Sequence, residues 1–132
     1  MNARYKKFGD FRDLIVYKKA FKQGCEIFDL TLSFPKEEQY SLTSQIRRST
    51  RSVCANLAEA YRKRNYLKHF LLKITDCLGE NSETFVWLEF ARQHTYISEE
   101  LFLKLCASNA EITKLLIYMY NNPSKFGVKE IL

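Results

Sequence analysis

Seven cations lie within 22 residues of this sequence: Arg47, Arg48, Arg51, Arg62, Lys63, Arg64 and Lys68, with Glu59 the single acid among them. Guanidinium forks match the geometry of phosphate oxygens, and cations repeated at helical pitch can follow a polyanionic backbone. Phosphate binding is the chemistry these residues suggest. Two blander accounts stand beside it. Arg47 and Arg51 could pair with carboxylates of another helix or another subunit, or the stripe could be a solvated face of a basic protein. A second set, Asp76, Glu80 and Glu83, repeats at i, i+4 and i+7, and Trp87 extends it at i+11. An acidic stripe with an apolar anchor suits the basic stripe of a neighbouring subunit. Unlike surfaces meeting in this way form a head-to-tail contact that closes into a ring if the rotation permits. A solvated face is again the alternative.

Other chemistry is sparse. His69 and His94 sit in no His-Glu-x-x-His or Glu-x-x-His pattern, so metal ligation of the usual bundle kind is not indicated. Gly9, Gly24, Gly79 and Gly127 are isolated, which rules out a glycine-rich phosphate loop. Ser52 and Cys54 have no evident base nearby in sequence. Cys25, Cys54, Cys77 and Cys106 lie 23 to 29 residues apart with no Cys-x-x-Cys pair. That spacing fits neither a zinc knuckle nor a disulfide framework, and it reads as reduced thiols packed in a core rather than a Cys-only metal site. The expectation is a protein that is not an enzyme, with no catalytic residues, cofactor or metal.

The elements that would position the two stripes are helices. With 132 residues, 46% hydrophobic and 27% charged, the chain has the composition of one globular domain. Four Gly and two Pro are too few for many short strands joined by turns. Leu14, Tyr17, Phe21, Cys25, Phe28 and Leu32 keep one helical face apolar, which predicts helix 1 over 11–33 with Asp10 as N-cap and that face in the core. Helix 2 is expected over 40–64, with Leu42, Ile46, Val53, Leu57 and Ala60 inward and the arginines outward. Helix 3 runs from about Tyr66 to His94, with Leu67, Phe70, Leu71, Ile74, Leu78, Phe85 and Leu88 as its main apolar face. Helix 4 opens at Ser98, with Leu101, Leu105, Ile112, Leu116 and Met119 on its core face. Short loops between four amphipathic helices predict an all-α, antiparallel up-down-up-down four-helix bundle over 11–122. Residues 1–10 would be an N-terminal arm and 123–132 a loose tail or an oligomer contact.

Charge is uneven. Residues 1–68 carry fifteen Lys and Arg against seven Asp and Glu, whereas residues 69–132 carry six against eight. The asymmetry suggests an anionic partner, self-association or both. No run is long and apolar enough for a membrane helix and the first residues lack a signal-peptide core, so a cytoplasmic protein without membrane contact is expected.

Specific strings carry a resemblance. Asp13-Leu14-x-Val16-Tyr17, then Phe34-Pro35-x-Glu37-Glu38, then Leu42-Thr43-Ser44-Gln45-Ile46-Arg47-Arg48 and Asn56-Leu57-Ala58-Glu59-Ala60 resemble the four-helix bundle proteins encoded in intervening sequences of bacterial 23S rRNA genes. The later TDCLGENSETFVWLEFA and Tyr96-Ile97-Ser98 are similar to one branch of that family, and the likeness covers about residues 11–120. It implies a bundle assembling as a homo-oligomeric, pentameric ring. It also implies kinship with the accessory protein of diversity-generating retroelements, where a basic surface engages nucleic acid and a reverse transcriptase. Family members often have Gly where Ala60 stands; Ala60-Tyr61 predicts that helix 2 continues there.

The expected function is a homo-oligomeric bundle that binds RNA or DNA, chiefly structured RNA, through phosphates on helix 2, with little base selectivity. The rival is a ring-shaped adaptor docking a protein partner such as a reverse transcriptase, with nucleic acid incidental. The rival gains if Trp87, Phe90, Tyr118 and Tyr120 form one exposed patch.

Overall fold

The computed structural model describes residues 9–130. Four helices make up most of it: α1 (Ile15–Thr31), α2 (Leu42–Arg62), α3 (Leu67–Gln93) and α4 (Glu99–Asn121). Among the described residues there is no strand. α1 packs on α2 and α4, α2 on α3, and α3 on α4, which closes a bundle. Contacts between α2 and α3 run in opposite order along the two helices: Arg48 meets Glu80 and Glu83, Ser49 meets Thr84, and Asn56 meets Lys73.

Local signals set most boundaries. Ser98 accepts the Leu101 N–H at 3.1 Å, as an N-cap should. Asp10 also caps, but it starts a 3-10 turn over Phe11–Asp13 rather than α1, which begins only at Ile15. α2 continues through Ala60 and Tyr61, both buried, to Arg62. α3 ends in a Schellman turn, with Tyr96 N–H bonding Ala91 O at 2.8 Å and Thr95 N–H bonding Arg92 O at 3.0 Å. Thr95 occupies the left-handed position at φ 60°, where glycine is usual, so this corner holds strain of about 1–3 kcal/mol.

The core has two apolar clusters. One joins Val16, Ala20, Val53, Leu57, Phe70, Ile74, Ile112, Leu116 and Met119, and the other joins Ile27, Phe34, Leu42, Ile46, Leu88, Phe102 and Leu105. A buried polar layer lies between them. Asn81 Oδ1 accepts from Gln23 Nε2 at 3.2 Å and from Asn109 Nδ2 at 3.1 Å, while Asn81 Nδ2 donates to Asn109 O at 3.0 Å and Thr113 Oγ1 at 2.9 Å. Asn109 Nδ2 also reaches Gln23 Oε1 at 2.9 Å, and the Ser49 and Thr84 hydroxyls bond each other at 2.7 Å. Such groups are tolerated inside a protein only because they partner one another.

Two expectations are corrected. α1 buries Val16, Ala20, Gln23, Ile27 and Thr31; of the expected face Leu14 and Tyr17 pack half-buried against the first cluster, whereas Phe21, Cys25, Phe28 and Leu32 lie on the outer side. Phe21 is 55% exposed and Leu32 66%. Gln23 explains the rotation, because its amide must face Asn81 and Asn109. The tail is also not loose in its described part. After the 3-10 turn Pro123–Phe126, Gly127 at φ 82° turns the chain so that Val128 enters the first cluster, and Lys129 N–H bonds Arg64 O at 2.9 Å.

Candidate nucleic-acid interface

The outward face of α2 carries a groove of about 560 Å³ lined by Gln39, Tyr40, Ser44, Arg47, Arg48, Arg51, Ser52 and Ala55. Three of the seven cations therefore share one surface. Their surroundings differ. Arg47 is half-buried, with its Nε donating to Thr31 Oγ1 at 2.8 Å and its guanidinium 4.5 Å from the Phe28 ring centre. Arg51 is exposed and reaches the same ring at 5.7 Å. Among the described residues no carboxylate pairs with either. The outer aromatic of α1 thus holds two guanidinium groups in place without neutralising them.

Arg48 is engaged otherwise. It bonds Glu80 at 2.8 Å and also Glu83, which raises its pKa, Glu83 contributing most. Trp87 Nε1 donates to Glu83 at 3.2 Å, so the acidic stripe of α3 is tied to α2 within one subunit. Asp76 lies 3.8 Å from Lys73, which also bonds Glu59 at 2.6 Å. The partner of Glu59 is this lysine across the helix interface rather than Arg62 or Lys63, three and four residues on along its own helix. The Lys73 bond holds the Glu59 carboxyl below its ordinary range. Asn56 bonds Ser52 O at 2.9 Å on its own helix and receives Lys73 Nζ at 3.4 Å.

The other four cations sit elsewhere. Arg62 ends α2, eleven residues or about 16 Å along the axis from Arg51. Lys63 caps the helix, and Lys68 is exposed on the first turn of α3. Arg64 belongs to the architecture: its Nε donates to Tyr61 O at 2.8 Å, its Nη1 to Phe126 O at 3.3 Å, and its guanidinium lies 3.7 Å from the Tyr61 ring centre.

The turn that opens the groove is fixed by Glu38. Its Oε1 accepts the Ser41 hydroxyl at 2.6 Å and the Leu42 N–H at 3.3 Å, capping α2 where Ser41 itself does not. Its Oε2 accepts the Tyr96 hydroxyl at 2.8 Å from beyond α3. These bonds, that of Ser41 first, hold the Glu38 pKa below its ordinary 4.5. A carboxyl more acidic folded than unfolded stabilises the fold above the unfolded value, and that contribution disappears as pH falls through the folded one. Glu38→Gln is therefore expected to flatten the fall of melting temperature between about pH 5 and 3. An acid arm as steep as that of the unaltered protein would remove Glu38 from the account.

The thiols separate by environment. Cys77 is buried and donates to Val53 O at 3.6 Å, and burial pushes the Cys54 thiol up to about 11, so neither is a ready nucleophile. Cys25 is exposed on the outer side of α1, against the expectation of a core thiol. Among the described residues no three His, Cys, Asp or Glu side chains are placed to hold a metal, and no helix is long and apolar enough to cross a membrane.

Sequence reasoning missed two features beside the cations. One is the outer aromatic stripe of α1, whose spacing was read but assigned to the core. The other is Tyr40, whose lone aromatic ring before a polar helix start was the available signal. Of the four aromatics named as a test of a docking patch, Trp87 is half-buried next to Phe90, whereas Tyr118 packs against Phe126. Phe90, Tyr118 and Tyr120 are exposed, but Phe90 sits with Trp87 beside the second cluster and Tyr118 with Phe126 beside the first, so the four form no single patch.

A family model described as 23S rRNA-intervening sequence protein matches residues 12–118. A search of curated proteins returns no match. A crystal structure of a protein of unknown function from the S23 ribosomal protein family of Bacteroides thetaiotaomicron superposes with a TM-score of 0.73 at 28% identity. The similarity spans 81% of this chain and 96% of the other.

Proposed function

The chain belongs to the 23S rRNA-intervening sequence protein family, and on that footing we propose that it binds structured RNA through phosphates on the outer face of α2. The observation that carries this reading is the pair Arg47 and Arg51. They are held in position by Phe28 and Thr31, line one groove, and are left without carboxylate partners among the described residues. Evenly solvated arginines would need no such support. Arg48 adds less, since Glu80 and Glu83 already hold it. Binding would discriminate weakly among sequences, because guanidinium groups on a stripe sense charge and shape rather than base edges. The association of this family with rRNA genes, carried in its description, favours RNA over DNA. Nothing in this mechanism needs a catalytic group, so the protein acts by binding.

The reading includes self-association in an up-down-up-down bundle, the arrangement that the opposed order of the α2–α3 contacts supports. A ring, pentameric as the family resemblance implies, would multiply one short basic groove several-fold and supply affinity by avidity. Asp76, Glu80 and Glu83 remain the proposed charged part of the contact and Trp87 its apolar anchor, with Glu80 and Glu83 shared between Arg48 of their own subunit and the neighbour. The outer stripe of α1, with Phe21 and Leu32 largely exposed, adds the apolar surface that a stable contact needs. That same stripe is what favours the second reading, a docking site for a protein partner.

The test is equilibrium binding of a labelled structured RNA and a matched DNA duplex across a salt series, on protein whose mass is measured by light scattering. Expected are an oligomer, RNA at least as tight as DNA, and a slope of log K against log salt steeper than the ~2–3 that three cations of one subunit supply. A monomer would hand the α1 stripe to the adaptor reading, and absence of binding at low salt would remove the RNA reading.

A further inference from the structure

We propose that Tyr40 is a stacking platform for an unpaired nucleotide whose neighbouring phosphates are held by Arg47 and Arg51. The inference rests on the phosphate-binding reading above and specifies which part of a nucleic acid the groove grips. Tyr40 is 87% exposed. Among the described residues its ring lies against no other aromatic and its hydroxyl has no hydrogen-bond partner. Yet it lines the same groove as Gln39, Ser44, Arg47, Arg51 and Ser52.

The backbone beneath the ring is firmly mounted. Glu38 lies two residues before Tyr40 and Ser41 directly after it. The Glu38 N–H bonds Pro35 O at 2.9 Å, and the Glu38 carboxylate receives Ser41, Leu42 and, from beyond α3, Tyr96. The strained Thr95 corner is what brings Tyr96 to that carboxylate. An exposed aromatic on a backbone anchored on both sides offers a face to a flat partner with no backbone ordering to offset and two side-chain torsions to fix. Every base offers a π-face, so stacking is tolerant of sequence, in keeping with a groove that reads charge rather than base edges. Arg47 and Arg51 follow within the first three turns of α2, placed to take the phosphates beside a stacked base. A base inside a duplex is already stacked on both faces and cannot use the platform. In a structured RNA the nucleotides that can are those of loops, bulges and ends.

The experiment compares the unaltered protein, Tyr40→Ala and Tyr40→Phe on an unstructured single strand of about 12 nucleotides, as RNA and as DNA, and on blunt duplexes of the same length. Tyr40→Ala is expected to weaken single-strand binding by about tenfold or more, with duplex binding changed by less than about twofold, and Tyr40→Phe to bind as the unaltered protein does. The salt slope should not move, because no charge is removed. Equal loss on single strands and duplexes, or no loss on either, would overturn the platform while leaving phosphate binding in place. An unaltered protein that binds neither form at low salt overturns both. Helicity by circular dichroism accompanies each variant, and Tyr40→Phe guards against a merely structural effect of losing the ring.

Discussion

Arg47→Glu combined with Arg51→Glu is expected to reduce RNA affinity by about a hundredfold or more at low salt, since each charge-assisted phosphate bond contributes about 1.5–3 kcal/mol. The variant also places two carboxylates in a groove whose third arginine, Arg48, is already held by Glu80 and Glu83, so the local field changes sign. The diagnostic is the salt dependence. Losing two contacts per engaged subunit lowers the slope of log K against log salt by about 1.4–1.8. Arg47 also donates to Thr31, so its replacement removes one interhelical hydrogen bond and some stability. Arg51→Glu alone touches only the exposed guanidinium and separates the two effects. It should lose about half of the double variant's free energy of binding with an unchanged melting temperature. Full affinity in a folded double variant would move the site away from α2, with Arg62, Lys63 and Lys68 as the remaining cations.

The second large effect lies in the polar layer. Asn81→Ala is expected to destabilise the bundle by about 3–5 kcal/mol, because it leaves the buried Gln23 Nε2 without its acceptor, removes the bonds to Asn109 O and Thr113 Oγ1 and opens a gap in α3. For a domain whose total stability is about 5–15 kcal/mol, that is a melting point lower by roughly 10–20 °C. Replacing Gln23, Asn81 and Asn109 all with Leu should behave differently, since no polar group is then left without a partner. Stability would be retained or raised, while the feature that fixes how the helices slide against one another is lost. Thermal unfolding of both variants decides it. An Asn81→Ala protein that melts within a few degrees of the unaltered chain would mean that water enters and replaces the amide.

That layer also explains what could be read in the sequence. The helices were legible because Leu42, Ile46, Val53 and Leu57, or Leu105, Ile112, Leu116 and Met119, repeat at helical spacing with polar residues between. α1 misled because it has two candidate faces. Bulk favoured Phe21, Phe28 and Leu32, but Gln23 finds its partners only on helices more than fifty residues away. Spacing within one helix does not reveal such a partnership. The same holds for Glu59, whose cation is Lys73 on the next helix, and for Arg48, which was one of seven equivalent cations until α3 placed Glu80 and Glu83 beside it. The positions of Arg47 and Arg51 on the outer face of α2 were legible, since helical geometry alone puts them opposite Ile46 and Val53. Their support by Phe28 was not, because it depends on the turn of α1.

The fold-back after α4 has a consequence for the order in which the protein can be completed. Residues 123–128 are synthesised after all four helices, yet Val128 and Phe126 close the cluster around Phe70 and Ile74. The bond from Arg64 to the Phe126 carbonyl spans 62 positions of the chain. While the helices are emerging from the ribosome, that end of the core therefore lacks a wall and the turn between α2 and α3 lacks its last hydrogen bonds. Closure of so long a loop is slow compared with helix formation. A nascent chain will hold a helical, partly open bundle and seal it in one late step.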